Sequence, residues 1–346
     1  MSQSDESLSP AVSSAGFSTF AEAKFSLEAT LASYQELNTG DDTKKFLEIC
    51  FKYFPRDGQV NFSEDVCGCR DDNELRQLAA SIDTGLLRPL LSKGKTPAIK
   101  PAPRADFRDL VENLLFHNSS PATRTVQESL RRNCLMRDGY RCAISKTWSS
   151  GHEFPSGEPD GVVQAAYIIP FALGRFKSND ERQHTSKVWV NIFRYFPALD
   201  ALNLSPDDVN RENNMMSLIT PLHEEFGRFH FVLEATLTPN RYRLKHFPRF
   251  ASVYRFLLPR DGMVTLTNYD HHHHLPEPLY LKLHAAIGNI LHASGRAERI
   301  ENLLRDLGET DGLVLSKDGS TNLGDLLSVS RLSLLASDSC PTYSKV

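Results

Sequence analysis

The stretch that decides the fold is residues 213–226, which read Asn-Asn-Met-Met-Ser-Leu-Ile-Thr-Pro-Leu-His-Glu-Glu-Phe. Met215–Ile219 predicts a short strand. Pro221 predicts the first turn of a helix, because backbone N–H groups there have no partner within the helix and proline has no N–H. An earlier stretch, residues 164–171, reads Gln-Ala-Ala-Tyr-Ile-Ile-Pro-Phe, and a second strand is predicted over residues 162–169. Together the two stretches predict an antiparallel strand pair with the helix packed across it.

The composition limits the kinds of partner that this chain can have. Its 346 residues are 40% hydrophobic and 24% charged, which suits two or three domains, or one domain with arms. The net charge of −4 excludes nucleic-acid binding by the whole surface, so any such contact must come from a local patch. One candidate lies in residues 124–146, although the same pattern also fits a solvated helix face. Its basic residues are Arg124, Arg131, Arg132, Arg137, Arg141 and Lys146.

The N-terminal residues and the cysteines indicate the compartment. No apolar run reaches the ~18 residues of a membrane span, and the Ser-rich start lacks the apolar core of a signal peptide. The six cysteines are irregularly spaced, which is typical of reduced thiols rather than of a disulfide framework or a zinc site. We therefore expect an intracellular protein, nuclear or cytoplasmic, with no membrane partner. The sequence does not determine its oligomeric state.

Composition and periodicity divide the chain into five segments. Residues 1–18 are small and polar and are predicted to be disordered. Residues 19–92 carry apolar residues three and four apart and predict a helical region, and the Pro- and Lys-rich residues 93–104 predict a linker. Residues 105–300 hold both quoted stretches, and the Ser-rich residues 301–346 predict a largely disordered tail. The expected fold class is α+β: a helical N-terminal region, a strand–strand–helix module with insertions, and a C-terminal helix.

Both stretches, taken with residues 134–145, carry a resemblance to a known family. Residues 134–145 read Cys-Leu-Met-Arg-Asp-Gly-Tyr-Arg-Cys-Ala-Ile-Ser. Over residues 130–297 the chain resembles the HNH nuclease domain of a large set of fungal proteins, which builds a ββα-metal module. The resemblance makes residues 105–300 an HNH nuclease-like domain. In that family the first strand normally reads Ala-His-Ile-Ile-Pro, and here Tyr167 stands at the histidine position.

The resemblance implies metal-dependent hydrolysis of a nucleic-acid phosphodiester. In such sites the first-strand histidine takes a proton from water, and one divalent metal, Mg²⁺ or Mn²⁺, stabilises the charge that develops on the phosphate. Tyr167 takes the place of that catalytic base. Asn214 corresponds to the asparagine that fixes the strand geometry or orients the base, with Asn213 as its neighbouring alternative. His223 corresponds to the helix histidine that ligates the metal.

Two departures from the family pattern weaken the predicted site. An unperturbed tyrosine has a pKa of about 10, so Tyr167 is a poor general base at neutral pH, and a positioned base is worth about 10² to 10⁴ in rate. Gly227 replaces an aspartate that often follows the phenylalanine, and His223 is left as a single metal ligand. We predict hydrolysis that is weakened or lost. The alternative is a catalytically inactive module that contacts nucleic acid or a protein. If Tyr167 alone limits cleavage, Tyr167→His restores it.

The geometry of the site follows from the same motif. Arg137 and Arg141 flank a turn before the first strand, and we expect Asp138 to pin this turn. At least one of the two arginines is then expected to contact nucleic acid at the rim of the cleft. We also expect Tyr167 and His223 to face one pocket. Tyr167 and His223 side chains on opposite sides of the domain would overturn the family assignment.

Further side chains have two interpretations each. His271–His274 form an internal tract that could bind metal, although a polar loop is the preferred interpretation. His184 and His152 lie in insertions around the core, and either could replace the missing base in space. Tyr167 could be a packed aromatic at a strand end rather than a catalytic group.

Overall fold

A computed structural model gives the structure of the chain and describes residue 17 and residues 19–91, 99–115, 124–174, 178–202, 204 and 206–308. The disorder predicted for residues 1–16 and 309–346 lies outside the described residues, as does most of the predicted linker. Among the helices that are described, none combines the length and the apolar character that crossing a membrane requires.

The N-terminal region is built of helices, as its periodicity predicts. They are α1 (Phe20–Ser33), α2 (Thr43–Tyr53), α3 (Arg56–Cys67), α4 (Asp72–Ile82) and α5 (Arg88–Leu91), with a π-helical turn at Asp83–Leu87 between the last two. Asp71 caps α4 by accepting the Glu74 N–H at 2.9 Å, which satisfies one of the free donors of the first turn. The apolar stripes of these helices meet in one core.

The rest of the chain mixes helices with small sheets. Its helices are α6 (Phe107–Leu115), α7 (Arg124–Arg137), α8 (Asn179–Tyr195), α9 (Pro197–Asp200), α10 (Thr220–Gly227), α11 (Pro278–Ala293) and α12 (Arg296–Gly308). Its strands are β1 (Trp148–Ser149), β2 (Asp160–Gly161), β3 (Val163–Tyr167), β4 (Met215–Ile219), β5 (Phe231–Ala235), β6 (Arg241–His246) and β7 (Met263–Thr265). β1 pairs with β2 in parallel, β3 with β4 antiparallel, and β5, β6 and β7 form an antiparallel sheet. The predicted α+β class is confirmed.

The N-terminal helices and the α+β part share one hydrophobic core. α8 packs against α3, and α11 packs against α2, so that buried side chains of both parts form a single cluster. The crossing of α3 and α8 is close at Gly58, where a Cβ atom would collide with the Tyr195 carbonyl. A residue without a side chain is required there. The helical region therefore packs directly against α8 and α11 of the α+β part.

Packing changes two of the predicted segments. Residues 99–104 of the predicted linker lie against the helical region, and Arg104 forms an ion pair with Asp65 of α3 at 3.4 Å. Residues 301–308 of the predicted tail complete α12, which is anchored where Ile300 is buried in the core. Contacts between residues far apart in the chain hold both segments in place. The composition of a segment does not predict such contacts.

Candidate functional site

The strand pair and the helix predicted from the two quoted stretches are present. β3 and β4 pair antiparallel, with Tyr167 opposite Met215. Thr220 starts α10 directly after β4, and both its N–H and its hydroxyl donate to the Val162 carbonyl, at 3.0 and 3.1 Å. α10 then packs against both strands. The strand–strand–helix prediction is confirmed.

Asn214 lies just before β4 and joins the ends of the two strands. Its fully buried side chain accepts the Ile169 N–H through Oδ1 at 2.8 Å. Its Nδ2 donates to the carbonyls of Ile169 and Val209, both at 2.9 Å. The backbone carbonyl of Asn214 also accepts the Ile168 N–H at 2.9 Å. These bonds fix the backbone just after Tyr167, so the contacts of Asn214 serve the strand geometry.

Asn214→Ala is expected to lower the free energy of unfolding by about 2 to 4 kcal/mol, because it leaves buried backbone groups without partners. Urea denaturation followed by circular dichroism measures the loss. Asn213→Ala is the matched control, since the Oδ1 atom of Asn213 accepts no hydrogen bond, and a change below about 0.5 kcal/mol is expected. Equal losses in the two variants would contradict the anchoring role.

His223 lies in the first turn of α10 and reaches back to β3. Its Nδ1 is 3.1 Å from Oε1 of Gln164. An amide oxygen can only accept, so this contact places a proton on Nδ1. The motif spacing does not single out Gln164 as a site residue. The available signal is the alternation of the predicted strand, which puts Gln164 on one face and its neighbours on the other.

α7 and α10 cover opposite faces of the β3–β4 pair. Ser217 of β4 and Ala165 of β3 are opposite each other in the register and point to the same face. The Ser217 hydroxyl lies 3.4 Å from Sγ of Cys134 in α7, which makes this the α7 face. Gln164 points to the other face, where it meets His223 of α10.

Tyr167 lies on the α7 face, because it is two positions beyond Ala165 on the same strand. Three positions separate Tyr167 from Gln164, and an odd offset along a strand reverses the face. The expectation that Tyr167 and His223 face one pocket is therefore wrong. This placement counts against a shared catalytic pocket.

The surroundings of Tyr167 are those of a packed aromatic. Its ring lies 5.5 Å from the ring of Phe171. Burial raises the pKa of the Tyr167 phenol above its usual value, and the nearby Arg131 guanidinium opposes this effect. The hydroxyl therefore stays protonated at neutral pH and is a poor acceptor for a proton from water.

The residues around His223 do not fit a resident divalent metal, which needs several oxygen or imidazole ligands. Glu225 is buried and committed elsewhere: its Oε2 lies 3.0 Å from Nδ1 of His230 and accepts the Ala251 N–H at 3.1 Å. Glu224 is exposed, and adjacent helix residues point about 100° apart. Within the described ranges, no three His, Cys, Asp or Glu side chains form a group that could hold a metal ion.

Asp138 pins the turn after α7, as expected. Its Oδ2 accepts the Ser217 N–H of β4 at 2.7 Å, and its two oxygens accept Nε and Nη2 of Arg137 at 2.7 and 2.9 Å. Arg137 is 0% exposed. Its guanidinium also donates to the carbonyls of Glu212, Met215 and His274 and to Sγ of Cys134. The predicted contact between Arg137 and nucleic acid is wrong, because its guanidinium is buried in the fold and cannot reach a phosphate.

The other basic side chains of residues 124–146 differ in their exposure to solvent and in the contacts that they make within the fold. The Arg141 guanidinium stacks on Trp148, 3.6 Å from the ring centroid, and the side chain is half-buried. The ammonium group of Lys146 donates to two backbone carbonyls. Arg131 and Arg132 are exposed on α7. The Arg124 side chain lies outside the described residues. Among the described arginines of the predicted patch, Arg131 and Arg132 are exposed and Arg141 is half-buried, and the contact of Arg141 with nucleic acid stays a prediction.

The histidine tract is a polar loop, in line with the preferred interpretation. His273 Nδ1 lies 2.8 Å from Oε2 of Glu212. The Asp270 carboxylate accepts the N–H groups of His272 and His273, at 3.1 and 3.3 Å. These bonds tie the tract to its own loop and to the segment before β4.

His184 and His152 lie outside both β3 and α10. His184 is on α8, where burial lowers its pKa to about 4, so that its imidazole is a weak base. His152 is exposed and stacks on Tyr140, with 4.0 Å between the ring centroids. A role for either as a substitute base stays a prediction.

Comparison with known proteins supports the resemblance for part of the chain. Residues 142–234 match the family model of the HNH endonuclease. The matched segment begins in the turn before β1 and runs through β3, β4 and α10 into β5. It therefore contains Tyr167, Asn214 and His223. No curated protein and no solved structure matches the chain. The resemblance in sequence and secondary structure stands, although the expected shared pocket does not.

Proposed function

We propose that this chain is an HNH nuclease-like protein that acts on nucleic acid and whose phosphodiester hydrolysis is weakened or lost. The match over residues 142–234 supports a nuclease-like function. The observation that carries the proposed loss is the position of Tyr167, which lies on the face opposite His223 with its pKa raised by burial. A hydroxyl that stays protonated on that face does not activate water beside His223.

Exposed positive charge on α7 is suited to contacts with nucleic-acid phosphates. Asn214 keeps the strand ends together, and His223 lies against Gln164 on the other face of the strand pair. Arg131 and Arg132 add exposed positive charge on α7, and phosphate contacts of this kind carry no sequence information. A role for Mg²⁺ or Mn²⁺ comes from the family resemblance alone, because the described residues around His223 form no group of three potential ligands.

The second candidate function is a catalytically inactive module on the same fold. The exposed arginines of α7 favour nucleic acid as its partner over a protein, because a charged face is costly to bury against an apolar surface. Both candidates predict binding of nucleic acid, and they differ in whether any cleavage activity remains.

Binding of a short labelled oligonucleotide is expected at low salt and is expected to fall as salt rises. Two phosphate contacts give a loss of roughly tenfold between 50 and 200 mM salt, because each contact releases counterions. Fluorescence anisotropy measures the affinity. Arg131→Ala and Arg132→Ala are each expected to make the salt dependence shallower by about one counterion. Lys45→Ala, at an exposed position on α2, is the control.

The result that would contradict this proposal is the absence of binding to both DNA and RNA at low salt. Equal slopes for the α7 variants and the Lys45→Ala control, with binding intact, would place the phosphate contacts elsewhere on the surface.

A further inference from the structure

The segment between β6 and β7 carries exposed apolar and basic side chains together. It contains a 3₁₀ helix, Ser252–Leu257, and continues to Arg260. A 3₁₀ helix repeats every three residues, so residues three apart share one face. Runs of six residues in this conformation are uncommon, which indicates that tertiary contacts hold the segment in place.

Two faces of this 3₁₀ helix have opposite surroundings. Tyr254 and Leu257 are three apart, and both pack against the main hydrophobic core. Val253 and Phe256 are also three apart, and they are 66% and 80% exposed. The inward pair fixes the segment, and the outward pair therefore presents a rigid apolar surface to solvent. Two large apolar side chains on one exposed face differ from single exposed apolar residues, which are common on any protein surface.

Positive charge lies beside the exposed pair. Arg255 and Arg260 are both exposed, and within the part of the chain that the structure describes neither has an ion pair or hydrogen bond through its side chain. Asp261 is the acidic neighbour, and one of its oxygens accepts the Met263 N–H at 3.0 Å. The segment thus combines an aromatic ring with two free guanidinium groups.

This segment is attached to the helix of the candidate site. The 3₁₀ helix packs against α10, and the Ala251 N–H donates to Oε2 of Glu225 at 3.1 Å. Glu225 is two positions after His223 on α10. Two positions turn about 200° around a helix, so the segment borders α10 on the side away from His223.

We propose that residues 252–260 form a docking surface for a nucleic-acid strand with unpaired bases. Phe256 stacks on a base, Val253 supports the ring, and Arg255 and Arg260 contact the flanking phosphates. Stacking on an aromatic ring suits any base, because every base has a π-face, and nearby cations follow the backbone. The charge of the two arginines favours this occupant over an apolar protein partner. The inference rests on the proposed function, since it names the form of nucleic acid that the proposed function requires.

The test compares single-stranded and duplex oligonucleotides of one sequence, by fluorescence anisotropy at low salt, on the full chain. Phe256→Ala is expected to weaken single-strand binding by about five- to a hundredfold, because one base loses its stacking partner, and to change duplex binding by less than about twofold. Arg255→Gln with Arg260→Gln is expected to weaken both and to make the salt dependence shallower by about two counterions. Phe25→Ala is the matched control, since Phe25 is a 74% exposed phenylalanine on α1.

The possible outcomes separate the two proposals. If the unmodified protein binds and Phe256→Ala binds a single strand as tightly as Phe25→Ala does, the docking surface is refuted and the proposed function stands. If the unmodified protein binds no nucleic acid, the proposed function is refuted, and the docking surface that rests on it is refuted with it. If Phe256→Ala changes the oligomeric state in sedimentation and leaves nucleic-acid affinity unchanged, the surface serves self-association and the inference is overturned. Circular dichroism confirms that each variant is folded.

Discussion

Arg137→Met is expected to lower the free energy of unfolding by about 3 to 5 kcal/mol, because it removes one partner of a buried ion pair. The Asp138 carboxylate would remain buried with its charge uncompensated, and three backbone carbonyls would lose a donor. Thermal or urea unfolding measures this loss. Arg132→Met, at an exposed position on the same helix, is the matched control and is expected to change stability by less than about 0.5 kcal/mol.

A second variant keeps this prediction testable if Arg137→Met does not fold. Arg137→Lys retains the charge but lacks the planar fork that reaches the carboxylate and the carbonyls together. Its loss is expected to be smaller than that of Arg137→Met and still above about 1 kcal/mol. A stability equal to that of the unmodified protein in either variant would show that the buried network is not what joins α7 to β4.

Tyr167→His is expected to leave Mg²⁺- or Mn²⁺-dependent cleavage within about threefold of the unmodified protein, although a positioned base is typically worth about 10² to 10⁴. A histidine at this position would occupy the α7 face of β3, whereas His223 lies on the α10 face. The described residues form no group of three potential metal ligands around His223, and a histidine on the other face does not add to them. The structure thus argues against the condition under which this substitution restores activity, namely that Tyr167 alone limits cleavage.

Initial rates on a labelled oligonucleotide, at saturating Mn²⁺ and with folding checked by circular dichroism, measure the effect of Tyr167→His. Tyr167→Phe is the control, because it keeps the packed ring and removes the hydroxyl. A gain of two or more orders of magnitude in Tyr167→His that is lost on adding His223→Ala would contradict the separation of the two faces. One substitution would then divide this chain from a working nuclease.

The elements of the site follow from local sequence. The apolar run of Met215–Ile219 and the proline after it suffice for β4 and the start of α10, because strand length and helix starts are set by neighbouring residues. The hairpin of β5 and β6 turns at Thr238-Pro239-Asn240, residue types that mark a turn. α8 begins at Asn179, well before its first buried residue, Thr185, since Ser178 caps it by accepting the Glu181 N–H at 3.1 Å.

The contacts that decide the function do not follow from local sequence. The carbonyls that accept hydrogen bonds from the buried Arg137 are 75 and 137 positions away in the chain. From local sequence alone, a basic residue in a helix is predicted to be exposed. Gln164 becomes a site residue because the register of β3 and β4 and the packing of α10 bring it to His223. The faces of Tyr167 and His223 depend on the same register, and motif spacing alone does not give it.

The most direct test of the central claim compares metal-dependent cleavage by the unmodified protein and by His223→Ala. Single-stranded and duplex DNA and RNA are incubated with Mg²⁺ or Mn²⁺ under conditions in which anisotropy confirms binding. The predicted result is cleavage by the unmodified protein that does not exceed that of His223→Ala on any substrate. Metal-dependent cleavage at least about 10²-fold above that of His223→Ala, with binding and folding intact, would contradict the claim that this HNH-like module has a weakened or lost catalytic site.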